Sequence, residues 1–197
     1  MVKKFFVFVM MVSLAYGFGM GMNEYEADIA HSSLSFKINH MVVSKVMGRF
    51  NDFSVAIKED PNDITKSSVA VVIKTASIDT GNEKRDNHLR GADFFDAEKY
   101  PEITFQSSRM EKKGDAYAAV GTLNMHGVSK EITIPFEITG KLKDPWGSTR
   151  AGIEASTRLD RKDYGLTWNK TLDKGGLMVG NEVKIEILLE MVSKKQQ

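Results

Sequence analysis

The sequence predicts an all-β fold, a single antiparallel barrel of eight strands with one short helix, at about residues 81–92, closing an end. Three observations carry that expectation. Apolar and polar residues alternate at period two along most of the chain, the pattern of half-buried strands. Short turn signals separate the alternating runs, which favours hairpins and antiparallel pairing. Eight or nine such runs suffice to close a sheet on itself and remove its exposed edges.

The chain opens with Lys3 and Lys4, an unbroken apolar run from Phe5 to Val12, and the small residues Ala15 and Gly17. That order reads as a secretory signal peptide over residues 1–17, with Gly19 as the alternative cleavage site. The apolar run is too short to span a bilayer as a permanent helix. Cleavage removes two lysines and no acid, taking the net charge from +1 to −1. Residues 18–197 are then one exported domain, placed in a periplasm or secreted.

In the first strand of the domain Leu34, Phe36, Ile38 and His40 share a face. Val46, Gly48 and Phe50 continue on the next run, and the apolar phase resumes at Phe53, Val55 and Ile57. The parity change between Phe50 and Phe53 calls for a bend or bulge that absorbs one residue. Asp60-Pro61-Asn62-Asp63 is a turn. Val69, Val71 and Ile73 form the next inward row. Thr80 and Glu83, three apart, read as a capping box that starts the helix, and residues 93–99 add a short turn before Pro101.

Ile103 and Phe105 begin the following strand, and Lys113-Gly114-Asp115 turns it toward a run with Tyr117, Ala119, Gly121, Leu123 and Met125 on one face. His126-Gly127 is a tight hairpin turn, with His in the place usually held by Asn or Asp. Ile132, Ile134, Phe136 and Ile138 follow, with Pro135 on the other parity marking an edge or an irregularity. After the turn at Asp144-Pro145-Trp146-Gly147 come Ala151, Ile153 and Ala155, and finally Val183, Ile185, Ile187, Leu189 and Met191.

Composition narrows the function. Lys plus Arg is 27 and Asp plus Glu is 26, so the basic excess of a nucleic-acid binder is missing. There is no cysteine, hence no disulfide, no thiolate ligand and no thiol nucleophile. Eleven methionines suit an adaptable core or an adaptable apolar pocket, and core filling is the commoner reason. The four histidines do not fall at metalloprotease spacing, and there is no nucleophile elbow, phosphate loop or dinucleotide fingerprint. No metal, cofactor or catalytic residue is expected. The inward rows mix large residues with small ones such as Gly48, Gly121 and Ala151. Such a row either leaves a tube open or lets large neighbours pack, and the residues alone leave both readings standing.

A longer pattern goes further. Phe36-Lys37-Ile38-Asn39-His40 is followed by Gly48-Arg49-Phe50. The block from Ser77 to Arg90 is followed by Asp93-Phe94-Phe95-Asp96 and Lys99-Tyr100-Pro101. Later come Gly121-Thr122-Leu123, Gly127-Val128-Ser129-Lys130, Trp146-Gly147, Asp163-Tyr164-Gly165 and Gly180-Asn181-Glu182-Val183. Over residues 24–192 this resembles the YceI-like polyisoprenoid-binding family. Two positions depart from its pattern: Met41-Val42 stands where relatives often carry Leu-Gly, and Tyr164 where they often carry Phe.

The resemblance implies a lipocalin-like, extended barrel holding an isoprenoid quinone, a prenyl or fatty-acid derivative, or another long-chain lipid, for transport, storage or stress response. The apolar channel is then expected at Phe36, Ile38, Phe50, Val71, Ile73, Phe94, Phe105, Leu123, Ile134, Phe136 and Ile153. A polar mouth is expected at His40, Asp86, His88 and Arg90. Expected partners are the lipid, a membrane in transient contact and, from the resemblance alone, a second copy in a homodimer. A filled-core interaction protein, or less readily an enzyme acting on the same lipids, is the alternative.

Overall fold

The computed structural model describes residues 21–41, 43–114, 116–171 and 176–194. The expected signal peptide and its cleavage site therefore lie outside the described residues, as do Val42 and the Asp115 corner. The strands are β1 (Asn23–Ala27), β2 (Ser33–His40), β3 (Ser44–Phe50), β4 (Phe53–Glu59), β5 (Ser68–Lys74) and β6 (Ile78–Asp79). After helix α1 (Glu83–Arg90) come β7 (Glu102–Lys113), β8 (Ala116–Met125), β9 (Val128–Lys143), β10 (Thr149–Asp160) and β11 (Val179–Ser193).

The strands pair in the order β1-β4-β5-β7-β8-β9-β10-β11, and β11 pairs back to β1, closing a ring of eight antiparallel strands. Strands β2, β3 and β6 extend three sides of that ring. β11 pairs with β1 through Ala27↔Met191 and then with β2 from Ser33↔Leu188, so β1 and β2 are one side interrupted by a turn at Ile29–His31. Asn51-Asp52 is the bend joining β3 to β4, where the sequence changes parity. A turn at Thr75–Ser77 joins β5 to β6. Each break re-aims one side of the barrel without unpairing it.

Local chemistry accounts for the corners. Asp60 Oδ1 accepts from the amides of Asn62 and Asp63. Asp144 Oδ1 accepts from those of Trp146 and Ser148. His126 and Gly127 both have positive φ, 53° and 76°, as a type I′ hairpin requires. A Cβ on Gly127 would lie 2.7 Å from the Tyr100 ring, so glycine is required twice over. His126 donates from Nδ1 to the Tyr164 carbonyl at 3.0 Å, which ties this hairpin to the turn after β10.

Pro135 sits in mid-strand and not at a sheet edge. It pairs with Ala118 of β8, but pairing of β9 with β10 begins only at Phe136↔Ala155. Proline therefore occupies the last position whose missing N–H costs no ladder bond.

The helix is shorter than the capping-box expectation of about 81–92, and its cap is Asn82 rather than Thr80. Asn82 is extended and its side chain accepts from the Arg85 amide, so the helix starts at Glu83, and it ends at Arg90 with Gly91 as an extended C-cap. Thr80 is spent elsewhere, donating its hydroxyl to Asp86 Oδ1 and accepting from Arg85 Nε. Among the described residues no helix is long and apolar enough to cross a membrane.

Candidate ligand-binding cavity

The period-two rows point into the ring. β10 sends Ile153, Ala155, Thr157 and Leu159 inward, β11 sends Val183, Ile185, Ile187 and Leu189, and β5 sends Val69, Val71 and Ile73. They enclose a cavity of about 420 Å³. Protein interiors are close-packed, with few voids larger than a water molecule, so a space of this size is a candidate site rather than a packing defect. Of the two readings of the small inward residues, Gly48 and Gly121 belong to packing. The Phe36 ring lies over Gly48, and the backbone of Gln106 and Ser107 presses on Gly121. The tube nevertheless stays open around them.

All eleven residues named for the apolar channel border this cavity. So do His40 and His88 of the expected polar mouth. Asp86 and Arg90 do not. Asp86 is buried, accepting from the amide and hydroxyl of Thr80. Arg90 donates to the carbonyls of Ala76 and Ile78 and to Asn87 Oδ1. Both are helix fasteners. The cavity side of α1 is Arg85, His88 and Leu89, three and four apart on the helix. Leu89, the only apolar residue of α1, marks that face in the sequence, and Arg85 is the residue its helical period adds.

The two ends of the barrel differ. At the far end from α1, Lys141 of β9 donates to Glu59 of β4 at 2.8 Å, and Glu59 also accepts from Tyr25 and Asn23. β4 and β9 stand four places apart on the ring of eight, so this contact spans the barrel and closes that end. Burial would raise the Glu59 carboxyl, but the bonds from Lys141 and its neighbours hold it below its ordinary value.

The α1 end is lined by more exposed groups: Asn39, His40, His88 and Trp168. His88 Nε2 donates to Asp93 at 2.9 Å, and its ring stands edge-on to Phe94 and Trp168, each at 5.0 Å. Trp168, Leu166 and Met178 also line the cavity, from the chain between β10 and β11, a stretch with no strand alternation in its sequence to mark them.

The electrostatics of the lining are one-sided. Among the described residues no Asp or Glu borders the cavity, whereas Arg85 and Arg161 do. Arg161 is 3% exposed. Its Nε donates to the Gly180 carbonyl at 2.8 Å and its Nη1 to that of Leu166, while Nη2 has no partner among the described residues. Burial pulls its pKa down, and only the charge of nearby Asp160 acts in the other direction.

Asp28, His31 and Glu190 form one cluster of metal-ligating groups among the described residues. Arg150 already fills it, donating to Asp28, Glu190 and Asp144. A guanidinium there does the work of a cation, and a metal would have to displace it.

The YceI-like domain model matches residues 25–191. A UPF0312 protein of Vibrio campbellii is 41% identical over 167 residues, covering 83% of this chain and 88% of its own. Among solved structures, BcnA of Burkholderia cenocepacia superposes with a TM-score of 0.73 at 25% identity, over 83% of this chain and 98% of its own. A polyisoprenoid-binding domain from Saccharophagus degradans, implicated in plant cell wall breakdown, shares the fold with a TM-score of 0.63 at 17% identity, over 86% and 98%.

Proposed function

We propose, from the premise that this chain belongs to the YceI-like domain family, that it is a non-catalytic carrier holding a polyisoprenoid or other long-chain amphiphile inside its barrel. The observation that carries this reading is the cavity of about 420 Å³, walled by alternate apolar residues from every side of the barrel. Each methylene buried there contributes about 0.8 kcal/mol. A tail of about twenty carbons thus has a gross term above roughly 10 kcal/mol, reduced by lost chain freedom and association entropy. An apolar tube discriminates weakly among tails, so isoprenoid quinones, prenyl alcohols and fatty-acid derivatives all suit it.

The alternatives have less support. A filled-core interaction protein needs no open interior. An enzyme using the His88 cluster needs converging groups, yet Asp86 and Arg90 are bonded away from the cavity and, among the described residues, the polar partner of His88 is Asp93. The amino-terminal lysines and apolar run support export to a periplasm or beyond. Loading from a membrane suits the β2–β3 hairpin, where Met41, Val43 and Met47 are exposed beside His40. A homodimer belongs to the same reading, on the family resemblance alone.

Mass spectrometry of the organic extract of the purified protein, beside a native mass spectrum of the intact complex, tests the proposal. A stoichiometric prenyl or long-chain lipid is expected. An empty protein, even after incubation with mixed prenyl lipids and fatty acids, overturns it.

A further inference from the structure

We propose that Arg161 is the head-group site of the cavity, binding an acceptor oxygen of the ligand so that the barrel selects tails ending in a carboxylate or carbonyl over tails ending in an alcohol or amine. This rests on the carrier reading above and adds to it the chemistry of the head.

Placement comes first. Ile153, Ala155, Thr157 and Leu159 are the inward row of β10, and Arg161 takes the next slot of that row where the strand passes into the turn Arg161–Tyr164. Strand parity delivers a cation to the inside of an apolar tube. The residue is buried and borders the cavity.

Valence comes next. A guanidinium offers five N–H donors and no acceptor. Two of its nitrogens are committed to the carbonyls of Gly180 and Leu166, which fix the plane of the group. The third nitrogen, Nη2, is buried and has no partner among the described residues. A buried donor left unpaired is costly, and a buried charge without a countercharge more so. Two backbone carbonyls satisfy hydrogens but supply no negative charge.

Charge completes the case. No described Asp or Glu lines the cavity, so the acid whose charge acts on Arg161, Asp160, does so from outside it and leaves Nη2 without an acceptor among the described residues. Arg85, the second guanidinium of the lining, faces the Thr80 hydroxyl and carbonyl and not an acid. A carboxylate brings both the acceptor oxygen and the negative charge that the site lacks, and a quinone carbonyl brings the acceptor oxygen alone. An alcohol is a weaker acceptor, and an ammonium head is repelled by both arginines.

The test uses the full-length protein stripped of lipid and titrated with eicosanoic acid, 1-eicosanol, eicosylamine and a prenyl quinone. The fluorescence of Trp168, which borders the cavity, follows binding. The acid is expected to bind the wild type about tenfold more tightly than the alcohol and about a hundredfold more tightly than the amine, the size of a hydrogen bond to a charged group. The quinone arm separates the two sources: quinone binding as tight as the acid assigns any acceptor oxygen, and tight acid binding alone assigns a carboxylate. Arg161→Met is expected to bring acid and alcohol within about threefold of each other, and Arg161→Lys to keep the preference in part.

Equal binding of acid, alcohol and amine by the wild type overturns the head-group assignment while leaving the carrier intact. Failure of all four to bind overturns the carrier itself. Because the wild-type series decides the matter, the assignment remains testable even where loss of the Gly180 and Leu166 bonds unfolds the Met variant.

Discussion

Tyr164 is 1% exposed, yet its hydroxyl has no hydrogen-bond partner among the described residues. Burial raises the pKa of that phenol, and neighbouring Asp163 pushes it the same way. A buried hydroxyl without a partner loses its hydration and gains nothing in return. Tyr164→Phe keeps the ring and removes the orphan oxygen, so it is expected to stabilise the fold by about 1 kcal/mol, read as a rise in the urea midpoint at unchanged slope. A lower midpoint would mean that the hydroxyl has a partner after all. At this scale the sequence is an uneven guide. It marks Tyr164 as unusual among relatives but says nothing of its missing bond. It groups Asp86, His88 and Arg90 as one polar cluster, although the helix turns Asp86 and Arg90 toward the loop it is fastened to and His88 toward the cavity. Arg161 reads from sequence as an ordinary charge in a turn, because nothing local reveals that its row of β10 runs inward to its end.

Strands show best where their rows are regular. The inward rows of β2, β4, β5, β10 and β11 follow directly from alternation, as does the bend at Asn51-Asp52. Irregularities that keep the polarity pattern are harder to read. β7 carries a bulge between Ser107 and Arg109, which moves its inward residues from Ile103 and Phe105 to Met110. Two successive serines give no sign of it.

Pairing between β2 and β11 carries an electrostatic consequence. Glu186 accepts from Lys184 at 2.9 Å and from Lys37 across the strand pair at 2.9 Å. Lys184 first, then Lys37, hold its carboxyl down at about 2, against a smaller opposing effect of burial. A depressed carboxylate contributes stability above its unfolded value, about 4.5, and loses it as the pH falls toward 2. Stability is therefore expected to drop across that window, with other carboxylates adding to the same limb. Lys184→Met is expected to make the drop shallower than in the wild type, measured as the urea midpoint at each pH. Parallel curves for the two proteins would show that the pair does not hold the strands together.

Closure of the barrel is legible from eight alternating runs, but its bore is not. Alternation says which residues face inward; it does not say how far apart opposite walls stand. That distance depends on strand tilt and stagger, which emerge only when all eight sides pair. Hence the rows are compatible with a filled core or an open tube, and only the folded molecule decides, with a cavity of about 420 Å³. An open apolar interior makes stability depend on its occupant, since a ligand that binds only the folded state adds RT ln(1 + [L]/Kd), about 2.7 kcal/mol at a hundredfold excess over Kd. Ala155, in the inward row of β10 between Ile153 and Thr157, is the place to separate filling from folding. Ala155→Phe puts a ring into the bore without adding a polar group or a charge. The variant is expected to fold and, once stripped of lipid, to melt at or above the temperature of the stripped wild type, because the ring supplies contacts that the empty tube lacks. Adding a long-chain lipid is then expected to raise the melting temperature of the wild type by several degrees and to leave that of the variant unmoved. Equal shifts in the two proteins would place the lipid outside the barrel and remove the cavity from the function.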